Sequence, residues 1–186
     1  MSTHYPDHNK ISPTAKLVAY WRQFSDVPYA LQVSELINAK QVAEEILHKP
    51  MSEESMGWLA PMIEARYKCL GAAIEKLGIK QVLELASGVS LRGLAMTADP
   101  EMVYVETDLA QMSEEKQRLV EKIREHQQLP ARHNLFYHSV NVLSLPDLEK
   151  ATAHFSPEKP IAIIHEGLMP YLSLEEKAIL AKNIHS

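Results

Sequence analysis

Gln81-Val-Leu-Glu-Leu-Ala-Ser-Gly-Val-Ser-Leu-Arg-Gly93 decides how the rest of the chain is read. It opens as an apolar run holding one acid, Val82-Leu83-Glu84-Leu85. It breaks at the small residues Ala86-Ser87-Gly88 and resumes with Leu91, Leu94 and Ala95 at helical spacing. A buried strand, a tight turn and a helix account for that pattern. In an open α/β sheet the turn after the first strand lies at the carboxyl edge, where ligands bind. Small residues there let the backbone approach a ligand closely. By itself the stretch fits any β-turn-α unit equally well.

Working outward, the segment after it alternates. Met102 to Asp108 reads as a second strand ending in acids, Met112 to Leu129 as a charged helix, and Asn134 to Asn141 as a third strand. Pro146 to Phe155 reads as a short helix, with the proline suited to its first turn. Pro160-Ile-Ala-Ile-Ile-His-Glu166 is nearly all apolar, as expected of a strand buried on both faces. Ser173-Leu-Glu-Glu176 is a capping box for a last helix running to about Asn183. Such alternation implies a parallel sheet with right-handed crossovers, in spatial order 3-2-1-4. Strand four is then an edge. Ile161, Ile163 and Ile164 are poor residues to leave there, so a cover is expected, from chain beyond Ser186 or from a second subunit.

The segment before the opening strand reads as helical. Polar residues 1–13, with Pro6 and Pro13, form an arm. A short helix follows from about Thr14 to Phe24, then one or two helices from Val33 to Leu47, ending before Pro50. Ser52-Glu53-Glu54-Ser55 marks another helix start. Met56, Leu59, Ile63, Tyr67, Leu70, Ile74 and Leu77 form its stripe, and Gly78 closes it. Pro61 is expected to kink that helix or mark a later start.

Composition narrows the function. The 186 residues are 46% hydrophobic, enough for one domain with its own core. A net charge of −5 gives no general attraction to nucleic acid or to acidic membranes. Cys69 is the only cysteine; with no signal peptide recognised, a reducing cytoplasm is expected. No apolar run reaches membrane-spanning length. The nine histidines are scattered, so no metal site is expected, and His133 and His138 read as solvated. Cys69 reads as a small packed residue rather than a nucleophile.

The strand ends bring Gly88, Glu106 with Asp108, Asn141 and Glu166 to one edge. A carboxylate after the second strand can accept from both hydroxyls of a ribose. An asparagine after the third can offer donor and acceptor to an adenine. This set suits a nucleoside cofactor. Neither G-x-G-x-x-G nor Walker A is present, so a pyrophosphate-bearing nicotinamide cofactor is the weaker reading.

Five blocks now carry a resemblance. They are Ile11-Ser-Pro-Thr-Ala-Lys-Leu-Val-Ala-Tyr-Trp-Arg22, Ala65-Arg66-Tyr67, Val82-Leu-Glu-Leu-Ala-Ser-Gly88, Tyr104-Val-Glu-Thr-Asp108 and Glu166-Gly-Leu-Met-Pro-Tyr-Leu172. In that order they resemble the leucine carboxyl methyltransferase family, which includes bacterial polyketide-type O-methyltransferases. The resemblance implies an α/β, Rossmann-like class I fold with N-terminal helices and about four parallel strands, lacking the family's last strands. It divides the chain into an arm and helical lid (1–50) and a cofactor-binding domain (51–186). It implies S-adenosyl-L-methionine as cofactor and a carboxylate of a small molecule or peptide as acceptor.

Residue by residue, the resemblance implies that Arg66 pairs with the cofactor carboxylate. Glu84, Ala86 and Gly88 belong to the motif beside the methionine part, and Asp108, with Glu106 second, holds the ribose. Asn141 and Val142 flank adenine. Glu166 lies near the methionine amino group and the reacting centre, as both a cofactor-binding and a catalytic residue. Lys16 and Arg22 belong to the lid. A second reading is a shortened, catalytically silent domain that binds cofactor weakly or associates through its open sheet edge, as a homodimer.

Overall fold

The computed structural model describes residues 13–47 and 53–185. The N-terminal arm, the helix end before Pro50 and the start at Ser52 lie outside the described residues.

Four helices precede the sheet: α1 (Pro13–Arg22), α2 (Ala30–Leu36), α3 (Ala39–Leu47) and α4 (Glu53–Leu77). Then come β1 (Gln81–Leu85), α5 (Arg92–Met96), β2 (Val103–Asp108), α6 (Ala110–His126), β3 (Leu135–Ser139), α7 (Leu145–Ala151), β4 (Ile161–His165) and α8 (Leu174–His185). The strands are all parallel, in the order β3-β2-β1-β4. This is the order expected from the alternation.

The helix ends follow from their sequences. Gly78, at φ 65°, terminates α4. Its N–H bonds the Glu75 carbonyl, and the Ile79 N–H bonds that of Ile74, which is the Schellman pattern. Ser173 and Glu176 cap α8 reciprocally: the Glu176 N–H donates to Ser173 Oγ at 3.2 Å, and the Ser173 N–H to Glu176 Oε2 at 2.8 Å. Pro61 lies inside α4, which continues through it as one helix. Burial of Ala60, Ile63, Tyr67 and Ile74 along α4 outweighs the lost backbone bond.

Successive strand residues face opposite layers. Val82 and Tyr104 face the layer of α4, α5 and α6, with Ile63, Ile74, Leu94, Leu119, Val120 and Ile123. Ala19, Tyr20, Trp21, Val33, Ala39 and Ala43 of the first three helices join the same core. Leu83, Leu85 and Val105 face the other layer, with Leu148 and Ala151 of α7 and Leu180 of α8.

Two side-chain clamps set the inter-strand connections. Asn134 Nδ2 donates to the carbonyls of Thr97, Asp99 and Met102, tying β3 to the loop before β2. The Gln81 amide bonds the backbone of Ser156 and Lys159, fixing the approach to β4.

Strand β4 departs from the expectation of burial on both faces. Ile164 is 8% exposed and joins the core, but Ile161 and Ile163 are 36% and 38% exposed. Those two pair in register with Gln81 and Leu83, on the layer of α7 and α8, at the sheet's edge. Cys69 is also exposed rather than packed.

Candidate active site

The carboxyl ends of β1, β2 and β4 gather Ala86, Gly88, Asp108 and Glu166 of the expected residues. After β1 the chain turns through Ala86 at φ 51° and Gly88 at φ 54°. A Cβ added at Gly88 would meet nothing within 4 Å, so this side of the turn is open. The Gly88 N–H donates to Asp108 Oδ2 at 2.8 Å, and the Leu109 N–H to Oδ1 at 2.8 Å. The turn and the acid after β2 are therefore built as one unit. Burial pushes the Asp108 carboxyl above its ordinary range, against the pull of those two amides.

Glu166, one residue past β4, is the centre of a charged cluster. Its Oε1 accepts from Arg22 Nη2 of α1 at 2.7 Å, and its Oε2 from Arg92 Nη2 of α5 at 2.7 Å. Arg66 of α4 approaches Oε1 only to 3.6 Å, outside hydrogen-bond reach, and its side chain is 40% exposed. The Tyr67 ring meets two guanidinium groups, 4.0 Å from that of Arg92 and 5.3 Å from that of Arg22. Burial pushes the Tyr67 phenol up to about 12, so it stays neutral. Burial also lowers the Arg22 pKa, with Glu166 opposing.

Glu84 and Glu106 are placed differently from the expectation that they meet cofactor. Each is 1% exposed. Glu84 accepts from the Tyr104 hydroxyl at 2.7 Å and faces Arg92 Nε at 3.5 Å. Glu106 pairs with Lys116 at 2.8 Å and accepts from the Gly93 N–H at 3.1 Å. Both point into the layer between sheet and helices, which closes them off from the open edge. Asn141 is exposed beyond β3, its Oδ1 accepting from the Leu143 N–H at 3.0 Å. The Val142 carbonyl accepts from Asn183 Nδ2 at 3.4 Å.

Arg92 is the site residue that sequence reading missed. It is 1% exposed and bonds the Tyr67 carbonyl as well as Glu166. Its signal was its position in Leu91-Arg92-Gly93-Leu94, among the apolar residues of a core helix, where an arginine must find acids. His133 is exposed as expected; His138 is instead half-buried, with Nε2 2.8 Å from His154 Nε2. Among the described residues no group of three or more His, Cys, Asp or Glu is arranged to hold a metal. No described helix is long and apolar enough to cross a membrane.

A parallel sheet in this order, with the open glycine turn anchored to the acid after β2, is the Rossmann-like fold of class I methyltransferases. A solved DUF574 family protein from Streptomyces avermitilis MA-4680 shares the fold, with a TM-score of 0.56 at 13% identity. The match covers 92% of this chain and 63% of that one, so this chain spans less than two thirds of its neighbour's length. The leucine carboxyl methyltransferase profile matches residues 22–185, and the chain belongs to that family. No functionally curated protein matches it.

Proposed function

We propose that this chain binds S-adenosyl-L-methionine at the carboxyl edge of the sheet and transfers its methyl group to an oxygen, that of a carboxylate on a small molecule or peptide. Family membership supports the class of reaction. The single observation that carries the cofactor site is the Gly88–Asp108 unit at the carboxyl edge of the sheet, the edge where the half-exposed Arg66 meets Glu166 after β4. The open side of Gly88 leaves room for the methionine part. Asp108 accepts one N–H at each oxygen and keeps lone pairs for ribose hydroxyls. Arg66 offers its guanidinium to a carboxylate.

The cofactor, when bound, supplies an activated methyl on a sulfonium. The protein's part is to bind, align and exclude water. A carboxylate acceptor is favoured because it arrives ionised and needs no general base. Glu166 is poorly placed as a base, since both its oxygens already accept from arginines. In this reading it acts by organising those arginines around the reacting centre.

Calorimetric titration with S-adenosylhomocysteine tests the site. Saturable binding that is lost in Asp108→Ala supports it. No binding by the folded wild-type chain sinks it.

A second reading has one observation in its favour, the exposed Ile161 and Ile163 on the edge of β4 that no described strand pairs. Here the chain associates with a second copy by edge-to-edge strand pairing. Antiparallel pairing about Ile163 sets Ile161 opposite His165 and Lys159 opposite Gly167, with no like charges facing. Sedimentation of a dimer that Ile163→Lys converts to monomer supports this reading. A wild-type monomer at tens of micromolar removes it.

A further inference from the structure

We propose that Arg92 is a positioning residue that keeps Arg66 available to a carboxylate-bearing ligand, by occupying one oxygen of Glu166. This rests on the reading that Arg66 meets the cofactor's carboxylate.

About the two carboxylates of Glu84 and Glu166 the structure places three guanidinium groups, from Arg22, Arg66 and Arg92. Among the described residues these five groups leave one positive charge over. It falls on Arg66, because the other two arginines hold Glu166 at 2.7 Å while Arg66 stands off at 3.6 Å. Arg66 is also the exposed member, at 40% against 8% and 1% for the side chains of Arg22 and Arg92. A half-exposed cation beyond hydrogen-bond reach of its carboxylate, next to two that are closely paired, is what an anion-binding site needs.

Arg92 sets this division in two ways. Its Nη2 occupies Glu166 Oε2, which no other described cation contacts. Its Nη1 donates at 2.6 Å to the carbonyl of Tyr67, the residue after Arg66, and so pins α4 where Arg66 emerges. Without Arg92, Oε2 is an unpaired buried carboxylate oxygen, a costly state. Arg22 is already committed to Oε1 at 2.7 Å, so the more loosely held Arg66, 3.6 Å from that oxygen and half-exposed, is the cation drawn in, and it would then be spent within the protein. The ligand's carboxylate would compete with Glu166 for it.

Two ligands separate this role from simple support of the fold. S-adenosylhomocysteine carries the amino-acid carboxylate; 5′-methylthioadenosine lacks the whole amino-acid portion but keeps the nucleoside. Calorimetric titration of both onto wild type, Arg92→Lys and Arg92→Met gives a ratio of affinities for each. Arg92→Met is expected to lower the ratio about tenfold, the worth of one charge-assisted hydrogen bond. Its affinity for methylthioadenosine should stay within about twofold of wild type. Arg92→Lys, which keeps the charge on Glu166 but not the fork to Tyr67, should fall between. Equal loss for both ligands, or an unchanged ratio, overturns the proposal. Should Arg92→Met fail to fold, Arg92→Lys decides: a ratio lowered at least threefold supports the role, and a wild-type ratio overturns it. Failure of wild type to bind S-adenosylhomocysteine overturns the cofactor reading, and the proposal with it; wild-type binding with an unchanged ratio overturns the proposal alone.

Discussion

Glu84 and Glu106 are register partners on the adjacent parallel strands β1 and β2, both 1% exposed on the same face, each supplied with its own cation. Arg92 stands 3.5 Å from the first and Lys116 2.8 Å from the second. Two like charges facing across a sheet destabilise it unless each is paired. The cations come from α5 and α6, so the sheet and its helical layer depend on one another electrostatically. Arg92 extends the chain to Glu166, linking the core to the open edge.

The pair makes stability depend on pH. Burial raises the Glu106 carboxyl to about 7, with Lys116 opposing and Glu84 adding to the rise. A folded pKa above the unfolded value of 4.5 means the folded chain holds the proton longer. The contribution is complete below about pH 4.5 and is lost as pH rises through about 7. Replacing the pair by Glu106→Gln with Lys116→Met removes this dependence. Wild-type stability minus that of the double variant should fall by a few kcal/mol between pH 4.5 and 8, measured by urea denaturation. A flat difference across that range refutes the assignment.

Gly93 is required by the same carboxylate. A Cβ there would lie 2.6 Å from Glu106 Oε1 and 2.7 Å from Leu135 Cδ1. Neither neighbour can retreat easily, since Glu106 is held by Lys116 and Leu135 is part of the core. Gly93→Ala should destabilise by about 1–3 kcal/mol, the range for overpacking. Unfolding midpoints in urea check it, with Gly71→Ala as control, whose added Cβ would meet only Arg92 Nη1, at 3.9 Å.

The strand order, the Gly78 stop and the capping box were legible in the sequence because each is a local or periodic signal. Gly88, Asp108 and Glu166 were legible as a group because strand ends converge at one edge in any parallel sheet. The arginine cluster was not, since Arg22, Arg66, Arg92 and Glu166 meet across as many as 144 residues of sequence separation. Burial of Glu84 and Glu106 was likewise hidden, because their cations come from other elements. The open face of β4 was misread because Ile161-Ala-Ile-Ile164 has the same composition whether one face is covered or two.

Ala86 is strained by the turn it occupies. Its φ of 51° lies in the left-handed region, which costs a residue with a Cβ about 1–2 kcal/mol. Ala86→Gly removes that cost and gives back part of it as backbone entropy in the unfolded chain. The net expectation is a gain of about 0.5–1 kcal/mol in urea unfolding. A loss of stability would mean that the alanine methyl packs favourably enough to offset its backbone strain.

His138 and His154 face each other head-on. Their Nε2 atoms are 2.8 Å apart and their ring centroids 5.0 Å apart, so the nitrogens lie nearly on the line joining the rings. Such a pair holds one proton between the two nitrogens, and a second proton would set two N–H groups against each other. His154 is fixed there by stacking on Phe136, at 3.7 Å between centroids. Burial first, then His154, lowers the His138 pKa. A depressed folded value gives stability that is present above the unfolded pKa and lost as pH falls through the folded one. His154→Phe keeps a ring against Phe136 and removes the competing imidazole. The His138 pKa, followed by NMR of its ring protons, should rise in that variant yet stay below 6.5, because burial is the larger cause. An unchanged pKa would show that the two rings do not share a proton in solution.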